Sequence, residues 1–421
     1  MIGFSTSLMI NHFLETSKLV KYTSCSNKAA FVLEYAGKQS MAEPFLYPEL
    51  YIDRSLETSG KKASEFLSWF KKEIDPFLED YFAEKIREAS EIHPETVALV
   101  EEIRRFIQNG GQRIRPAFTY AAYVASGGRS FEAILYASAA IEVMHAFALI
   151  HDDIIDESPL RRKHPTVHKI FEDFHEKRKF FGSQQTFGLS SAILAGDLAL
   201  AYADELLNTS PFPSERLRKA RNYLDLSKKQ VILGQYLDVV ESYKRQISEE
   251  YVLKILEYKT AKYTTERPLQ VGAALAGADE ETLQIFSNYA VPLGQAFQIQ
   301  DDILGTFGKE ENTGKPTDSD IKEGKMTLLI VKAYDFAKPS ERNVLDGALG
   351  NKKASTGQIN QVRRVIENCG SLAYSQKLSK ELIERAKEVI SEARLTQEGK
   401  NYLLQICNYL LVRELDLLSP K

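Results

Sequence analysis

From about residue 60 onward the chain repeats apolar residues at spacings of three and four and shows no persuasive alternating run from which a sheet could be built. "ASEFLSWFKKEIDPFLEDYFAEKI" (63–86) carries this pattern, as do "EEIRRFIQ" (101–108) and the long stretch 131–151. "NGG" (109–111), "SGG" (126–128) and "KPSE" (338–341) punctuate it into separate helices. There is no solenoid repeat, and no linker rich enough in Gly, Pro or Ser to divide it. The pattern predicts an all-α fold: one large bundle of on the order of ten helices. Its most apolar helices must lie at the centre.

One central helix ends in charge. "AIEVMHAFALI" (140–150) is too apolar for a surface helix, yet it leads directly into "HDDIID" (151–156). Asp152 and Asp156 are four residues apart, so on a helix they project from one face, one turn apart. Two carboxylates that close repel unless a cation stands between them. A solvated helix end, with its acids paired to Arg161 and Arg162, is the plain alternative for a lone DDxxD. The apolar lead-in favours a charged rim on a greasy cavity instead. All-oxygen carboxylate ligation without cysteine suits Mg²⁺, which takes one or two carboxylates plus substrate phosphates. "FQIQDDILG" (297–305) repeats the arrangement, with Phe297 and Asp301 on one face and Gln298 and Asp302 on another. Gly305 stands where a third acid would complete this second set.

A polyanion held there also needs fixed cations. Arg113 and Arg115 follow a Gly-Gly turn, where backbone amides can approach phosphate closely. "YKTAKYTTERP" (258–268) offers Lys259, Thr260 and Lys262, and "TGKPTDSDIKEGKMT" (313–327) offers Lys315 and Lys325. Taken singly, each reads as a solvated loop or helix face.

Composition closes off other classes. A net charge of -4 and a pI near 6.1 over 421 residues give no basic surplus for a nucleic-acid partner. Cys25, Cys369 and Cys407 are too few and too scattered for a disulfide framework or zinc site, and they fit a reducing, cytoplasmic compartment. No run approaches the roughly 20 apolar residues of a spanning helix, so a soluble protein without a transmembrane segment is expected. Residues 1–40 lack both arginine and a signal peptide's apolar core, and read as a non-essential extension. Met41 opens the region 41–421 that holds the bundle.

Taken in order, the motifs resemble those of the trans-isoprenyl diphosphate synthases. "GGQRIRP" (110–116), "DDIIDESPLRR" (152–162), "GDLA" (196–199), "GQYLD" (234–238), "KTAKYT" (259–264) and "FQIQDDILG" with "TGKPTDSDIKEGK" (313–325) all match. The resemblance spans about Gly110 to Lys325. It implies the isoprenoid-synthase type of helical bundle around a central prenyl-binding cavity, and a homodimer. It also implies that Asp152, Asp156 and Asp301 bind Mg²⁺, with Asp153 and Asp302 orienting that shell through water. Arg161, Lys259, Gln298, Lys315 and Lys325 would contact the allylic diphosphate. Gln112, Arg115, His145 and Arg162 would hold isopentenyl diphosphate, and Lys259, Thr260 and Gln298 would serve the carbocation. Without the motif, His145 reads as an ordinary core histidine.

Two positions depart from the family pattern. Gln112 replaces a usual lysine, so that either affinity for the homoallylic substrate is lower or Arg113 compensates, and Lys163 replaces a usual glycine and adds a cation. The resemblance also ties product length to the residues before Asp152. Phe147, small Ala148 and Met144, with an uninterrupted DDxxD, are most like the archaeal-type geranylgeranyl diphosphate synthases. Farnesyl or longer products (25 carbons and above) are the alternatives. From other classes, a di-iron carboxylate bundle could use "EVMH" (142–145) and "EDFH" (172–175), and a class I terpene cyclase would share DDxxD.

Overall fold

The computed structural model describes residues 23–25, 28–30, 54–244, 246–308 and 317–418. The chain divides into two units, Met1–Tyr51 and Ile52–Lys421. In the first, β1 (Thr23–Cys25) pairs antiparallel with β2 (Lys28–Ala30). The rest of that unit, Met41 included, lies outside the described residues.

The second unit is all-α, as the periodicity predicts. It opens with α1 (Arg54–Ile92), α2 (Val97–Gln108), α3 (Ile114–Ala125) and α4 (Phe131–Ile155). A two-residue hairpin, β3 (Leu160–Arg161) with β4 (His164–Pro165), leads into α5 (Val167–Arg178), α6 (Gln184–Asn208) and α7 (Ser214–Glu241). Next come α8 (Glu249–Ile255), a π-helical segment (Leu256–Glu266), α9 (Arg267–Ala276) and α10 (Glu280–Phe307). The chain closes with α11 (Ser319–Glu323), α12 (Leu328–Phe336), α13 (Pro339–Ala348), α14 (Thr356–Asn368), α15 (Ser371–Glu392) and α16 (Gln397–Leu418).

Helix α4 is the axis. The Ser130 hydroxyl caps its start by accepting from the Ala133 N–H at 3.3 Å. Ile134, Ile141, Met144 and Ile150 are fully enclosed, each contributing about 1.5–3 kcal/mol by leaving water. Helix α10 spans two apolar cores. Leu283, Phe286, Tyr289 and Leu293 belong to the main one, whereas Ile299 and Ile303 join a smaller one with Ile321, Leu329 and Ile366. Asp301 and Asp302 therefore stand half-buried within the helix's second-core half.

The expectation that no run is apolar enough to cross a membrane needs correction. By length and composition alone, α4 and α6 are both long and apolar enough. Alanines interleaved with isoleucine and leucine keep their mean hydropathy high although Ser, Glu, His or Asp interrupt the run. Most of α4 is buried inside the bundle. Helix α6 is largely uncovered and exposes Ile193 and Leu194.

Candidate active site

The first aspartates sit where α4 stops. Asp156 is the residue that ends the helix, its N–H returning to the Asp152 carbonyl at 2.9 Å. Asp153 is buried, and Arg161 from the β3–β4 hairpin clamps it, with Nε donating at 2.8 and 2.9 Å to its two oxygens. Arg161 Nη2 reaches Asp152 Oδ2 at 3.2 Å. The pairing to Arg161 that a plain helix end would give is present, but the end is not a solvated one, since Asp153 is buried. Arg162 goes elsewhere.

The turn that delivers both arginines is strained. Arg162 (φ 51°) and Lys163 (φ 68°) occupy its two central positions, each in the left-handed region that suits glycine. Lys163 is the residue that stands where the family pattern has glycine.

Facing Asp152 is the π-helical segment. Pro268 lacks an N–H and crowds the carbonyl four residues back, which disfavours a regular α ladder just ahead of it. Two glycines let the neighbouring helices close on this wider coil. A Cβ on Gly234 of α7 would lie 2.4 Å from the Lys259 nitrogen, and one on Gly294 of α10 would lie 2.4 Å from Ala261 Cα. Clamped this way, Lys259 Nζ bonds Asp238 and stands 3.9 Å from Asp152 Oδ1. Burial alone would lower the Lys259 pKa, but Asp238 and Asp152 more than offset it and hold the ammonium above its ordinary range.

The chain of contacts continues to the second motif. Thr260 Oγ1 donates to Gln298 Oε1 at 2.8 Å, and Gln298 Nε2 donates to Asp302 Oδ1 at 2.9 Å. Burial, Asp320 and Asp301 push the Asp302 carboxyl well above the usual range, against Gln298 and Lys325. Lys325 lies 3.8 Å from Asp320 Oδ1 and 3.1 Å from Glu323 Oε2. Although burial opposes it, the field of Asp320, Asp156, Glu323 and Asp238 raises the Lys325 pKa. Lys325 is therefore felt by residues of both aspartate motifs. Asp156 is itself raised, by burial and by Asp152, with Lys325 and Lys259 opposing.

Crowded, oxygen-only carboxylates of this kind fit a divalent cation, whose charge would relieve the repulsion that lifts Asp156 and Asp302. Among the described residues no three acidic, His or Cys side chains converge into a closed cage. Such a cation would draw its remaining oxygens from substrate and water.

Beside this rim lies a pocket of arginines. Arg113 does not belong to the open part of it. Its buried guanidinium is neutralised by Asp75 at 2.7 Å and Glu142 at 2.6 Å, and it also bonds the Ile107 and Gly110 carbonyls. It therefore has no charge to spare for the role Gln112 leaves open. Arg115 and Arg162, by contrast, form no carboxylate ion pair among the described residues. Arg162 lies across the turn at Gly110 and Gly111, where a Cβ on either glycine would meet its side chain at 3.3–3.4 Å. Burial lowers the Arg162 pKa, Glu142 resists, and Arg161, Arg113 and Arg115 add to the fall. Arg115 contacts His145 Nε2 at 3.0 Å and Thr264 Oγ1 at 2.9 Å. Gln112 is exposed, its amide 3.3 Å from the Tyr409 hydroxyl of α16.

Lys315 lies outside the described residues. Phe147 is buried with its ring edge-on to His151 at 4.9 Å, and Ala148 is half-buried. Met144 is completely enclosed in the main core, so it borders no solvent-reachable space. Asp238, Tyr263, Glu241 and Asp320 were not singled out by sequence reasoning. All but Glu241 fall inside the matched motifs, which is the signal that could have found them.

An all-α bundle with two carboxylate sets, opposed lysines and an open arginine pocket is the outline of an enzyme acting on prenyl diphosphates. Residues 97–366 match the polyprenyl synthetase family. The chain belongs to that family and is a prenyltransferase. It is 33% identical to a geranylgeranyl diphosphate synthase of Sulfolobus acidocaldarius, across 78% of this chain and 97% of that protein. It is 31% identical to a geranylfarnesyl diphosphate synthase of Aeropyrum pernix, across 73% and 92%. Its fold matches a crystal structure of geranylgeranyl pyrophosphate synthase from Corynebacterium glutamicum, complexed with isoprenyl diphosphate and magnesium. That match has a TM-score of 0.72 and 32% identity, and covers 87% of this chain and 99% of that one.

Proposed function

We propose that the protein condenses isopentenyl diphosphate with allylic diphosphates (dimethylallyl, geranyl, farnesyl) and delivers mainly geranylgeranyl diphosphate. The observation that carries this reading is the division of its cations. Lys259 and Lys325 stand among the aspartates, whereas Arg115 and Arg162 form a separate group with no carboxylate ion pair among the described residues. Two anion sites of different make-up suit two diphosphates with different fates.

Asp152, Asp156 and Asp301 would hold Mg²⁺, which when bound supplies neutralising charge to the allylic diphosphate. Lys259, Lys325, Lys315 and Arg161 favour that diphosphate as it leaves, because charge gathers on it as the C–O bond breaks. Thr260 and Gln298, fixed by their mutual bond, border the allylic carbon. Gln112, Arg115, His145 and Arg162 hold isopentenyl diphosphate, and the proton lost after coupling goes to the departing diphosphate. No side chain need act as base.

Ala148 lies one turn, about 6 Å, below Asp152. Its small size leaves the tail room that an aromatic there would deny, which speaks against a farnesyl product. The relative named for geranylfarnesyl diphosphate keeps a longer product as the second reading. A di-iron centre has no support, since Glu142 binds Arg113, His145 meets Arg115, Glu172 pairs with Lys169 and His175 bonds the Phe181 carbonyl. Ile193 and Leu194 of α6, with Ile232, Leu233 and Tyr236 of α7, are exposed apolar residues that a second copy would cover in a homodimer. The scattered cysteines fit a cytoplasmic enzyme.

The test is incubation with isopentenyl diphosphate, each allylic primer in turn and Mg²⁺, followed by sizing of the products. Twenty-carbon diphosphate should dominate. Absence of elongation, or hydrocarbon formed from an allylic primer alone, would overturn the assignment.

A further inference from the structure

The turn between α5 and α6, "KRKFFGS" (177–183), belongs to neither the aspartate rim nor the arginine pocket, yet it is firmly built. Helix α5 ends in a Schellman motif: the Lys179 N–H returns to the Glu176 carbonyl at 3.0 Å, and the Phe180 N–H to the His175 carbonyl at 3.2 Å. Lys179 takes the left-handed conformation this motif requires (φ 53°), and Gly182 also has a positive φ (94°). Buried His175 donates from Nε2 to the Phe181 carbonyl at 3.2 Å. The Ser183 hydroxyl caps α6 by accepting the Thr186 N–H at 3.2 Å. The Phe180 ring folds inward, edge-on to Phe174 and Phe187 at 6.0 and 5.7 Å. The Phe181 side chain is left fully exposed.

The run of α6 fixes where this turn stands. Tyr81 of α1 donates to the Tyr202 carbonyl at 3.4 Å, and Phe77, one turn earlier in α1, meets Tyr136 in the first half of α4 at 4.9 Å. At the other end of α4, His151 Nε2 lies 3.1 Å from the Ile193 carbonyl. Helix α6 therefore runs antiparallel to α4, and its first residues lie beyond the end of α4 that carries Asp152. From Ile193 back to Gln184 is about 14 Å at 1.5 Å per residue. The turn projects by that much past the level of the aspartate rim.

Lys177, Arg178 and Lys179 are exposed beside Phe181 and form no ion pair among the described residues. Arg178 only leans on the Phe174 ring, its Cζ 5.1 Å from the centre. The acids of α5 come before the turn: Glu172 pairs with Lys169, and Asp173 and Glu176 are exposed. From 177 to 183 every charge is positive. A peptide side chain or a small ligand needs a concave site. Here the ring projects from a convex tip, and nothing lies within 4 Å of a Cβ on Gly182. We propose that this turn docks the protein on an anionic lipid bilayer, with Phe181 entering the headgroup–acyl boundary and Lys177, Arg178 and Lys179 pairing with lipid phosphates. The aspartates stand farther from that surface than a Debye length of about 8 Å, so their charge does not oppose the contact. Ile193 and Leu194, assigned above to a second copy, lie about 14 Å along α6, so the two surfaces are separate. The preference for a bilayer rests in part on the proposed function, because a twenty-carbon diphosphate released at this rim carries a tail that partitions into lipid.

Co-sedimentation of the full chain with lipid vesicles tests this. The protein should bind vesicles of phosphatidylcholine mixed with phosphatidylglycerol, should not bind phosphatidylcholine alone, and should be released by added salt. Phe181→Ser should weaken binding at least about tenfold, and Lys177→Gln and Lys179→Gln about fivefold each. All three side chains are exposed, so thermal melts and turnover without vesicles should match wild type. Equal binding to both kinds of vesicle, or variants that bind as wild type does, would overturn the proposal. So would a Phe181→Ser protein that separates into monomers in analytical ultracentrifugation where wild type is a dimer, since a second copy would then cover the turn. A protein that binds anionic vesicles through this turn but never elongates an allylic primer would overturn the proposed function and leave the docking surface standing.

Discussion

Thr260 Oγ1 donates to Gln298 Oε1 at 2.8 Å, joining the π-helical segment to α10 at the level where each carries its charge. On one side of that bond Lys259 looks toward Asp152 and Asp238; on the other, Gln298 holds Asp302. The two aspartate motifs, about 150 residues apart in sequence, are thereby linked by a short run of polar contacts.

Asp152→Ala and Asp301→Ala should each reduce turnover by at least about a hundredfold at saturating Mg²⁺, since each removes one proposed ligand. Circular dichroism should show both variants folded, because Arg161 keeps its bonds to Asp153. Near wild-type activity in either variant would mean that the two sets do not act together.

Gln112→Lys adds a cation at an exposed position beside the Arg115 pocket. The Michaelis constant for isopentenyl diphosphate should fall, by no more than the ~1.5–3 kcal/mol of a charged hydrogen bond. Tyr409→Phe, which removes only the weak contact to Gln112, should leave the constant unchanged. No response to the lysine would show that Arg115 and Arg162 already saturate the site.

Product length tests the wall below Asp152. Ala148→Phe should shorten the main product to farnesyl diphosphate, and Phe147→Ala should lengthen it beyond twenty carbons. Chromatography of the dephosphorylated products reads both. If both variants keep the parental product, the floor lies on another helix.

Glu241 gives the fold a pH signature. Burial, with Asp238 adding, lifts its carboxyl from an ordinary 4.5 to about 7, although it accepts the Met326 N–H and feels Lys325 and Lys259. Between those values the folded protein binds a proton that the unfolded chain does not, so stability falls as pH rises through the window. The contribution is complete below about pH 4.5 and lost above pH 7, at most roughly 3 kcal/mol in size. Glu241→Gln still accepts the Met326 N–H and should flatten this part of the pH–stability curve in urea titrations. An unchanged slope would place the titration elsewhere.

Gly234→Ala should cost about 1–3 kcal/mol, because the new methyl meets the Lys259 backbone, and it should lower turnover by displacing that lysine. Gly347→Ala is the control. Nothing lies within 4 Å of its Cβ, so thermal melts should show it neutral or slightly stabilised, by about 0.5–1 kcal/mol.

Local sequence determined the helices, their apolar faces and the carriers of charge. Spacing alone put Asp152 and Asp156 a turn apart at the end of α4, because a helix has one period and one end. The order of motifs was enough to suggest the family. What the tertiary structure decided is which of several identical charges remain available. Arg113 and Arg115 are two residues apart in one motif, yet Asp75 and Glu142 neutralise the first while the side chain of the second meets His145, Tyr263 and Thr264 and no carboxylate among the described residues. Arg161 and Arg162 are adjacent, yet one clamps Asp153 and the other crosses the glycine turn. Those partners come from distant helices, and a guanidinium's electrostatic role is set by what folding brings within a few ångströms of it, which no local pattern encodes.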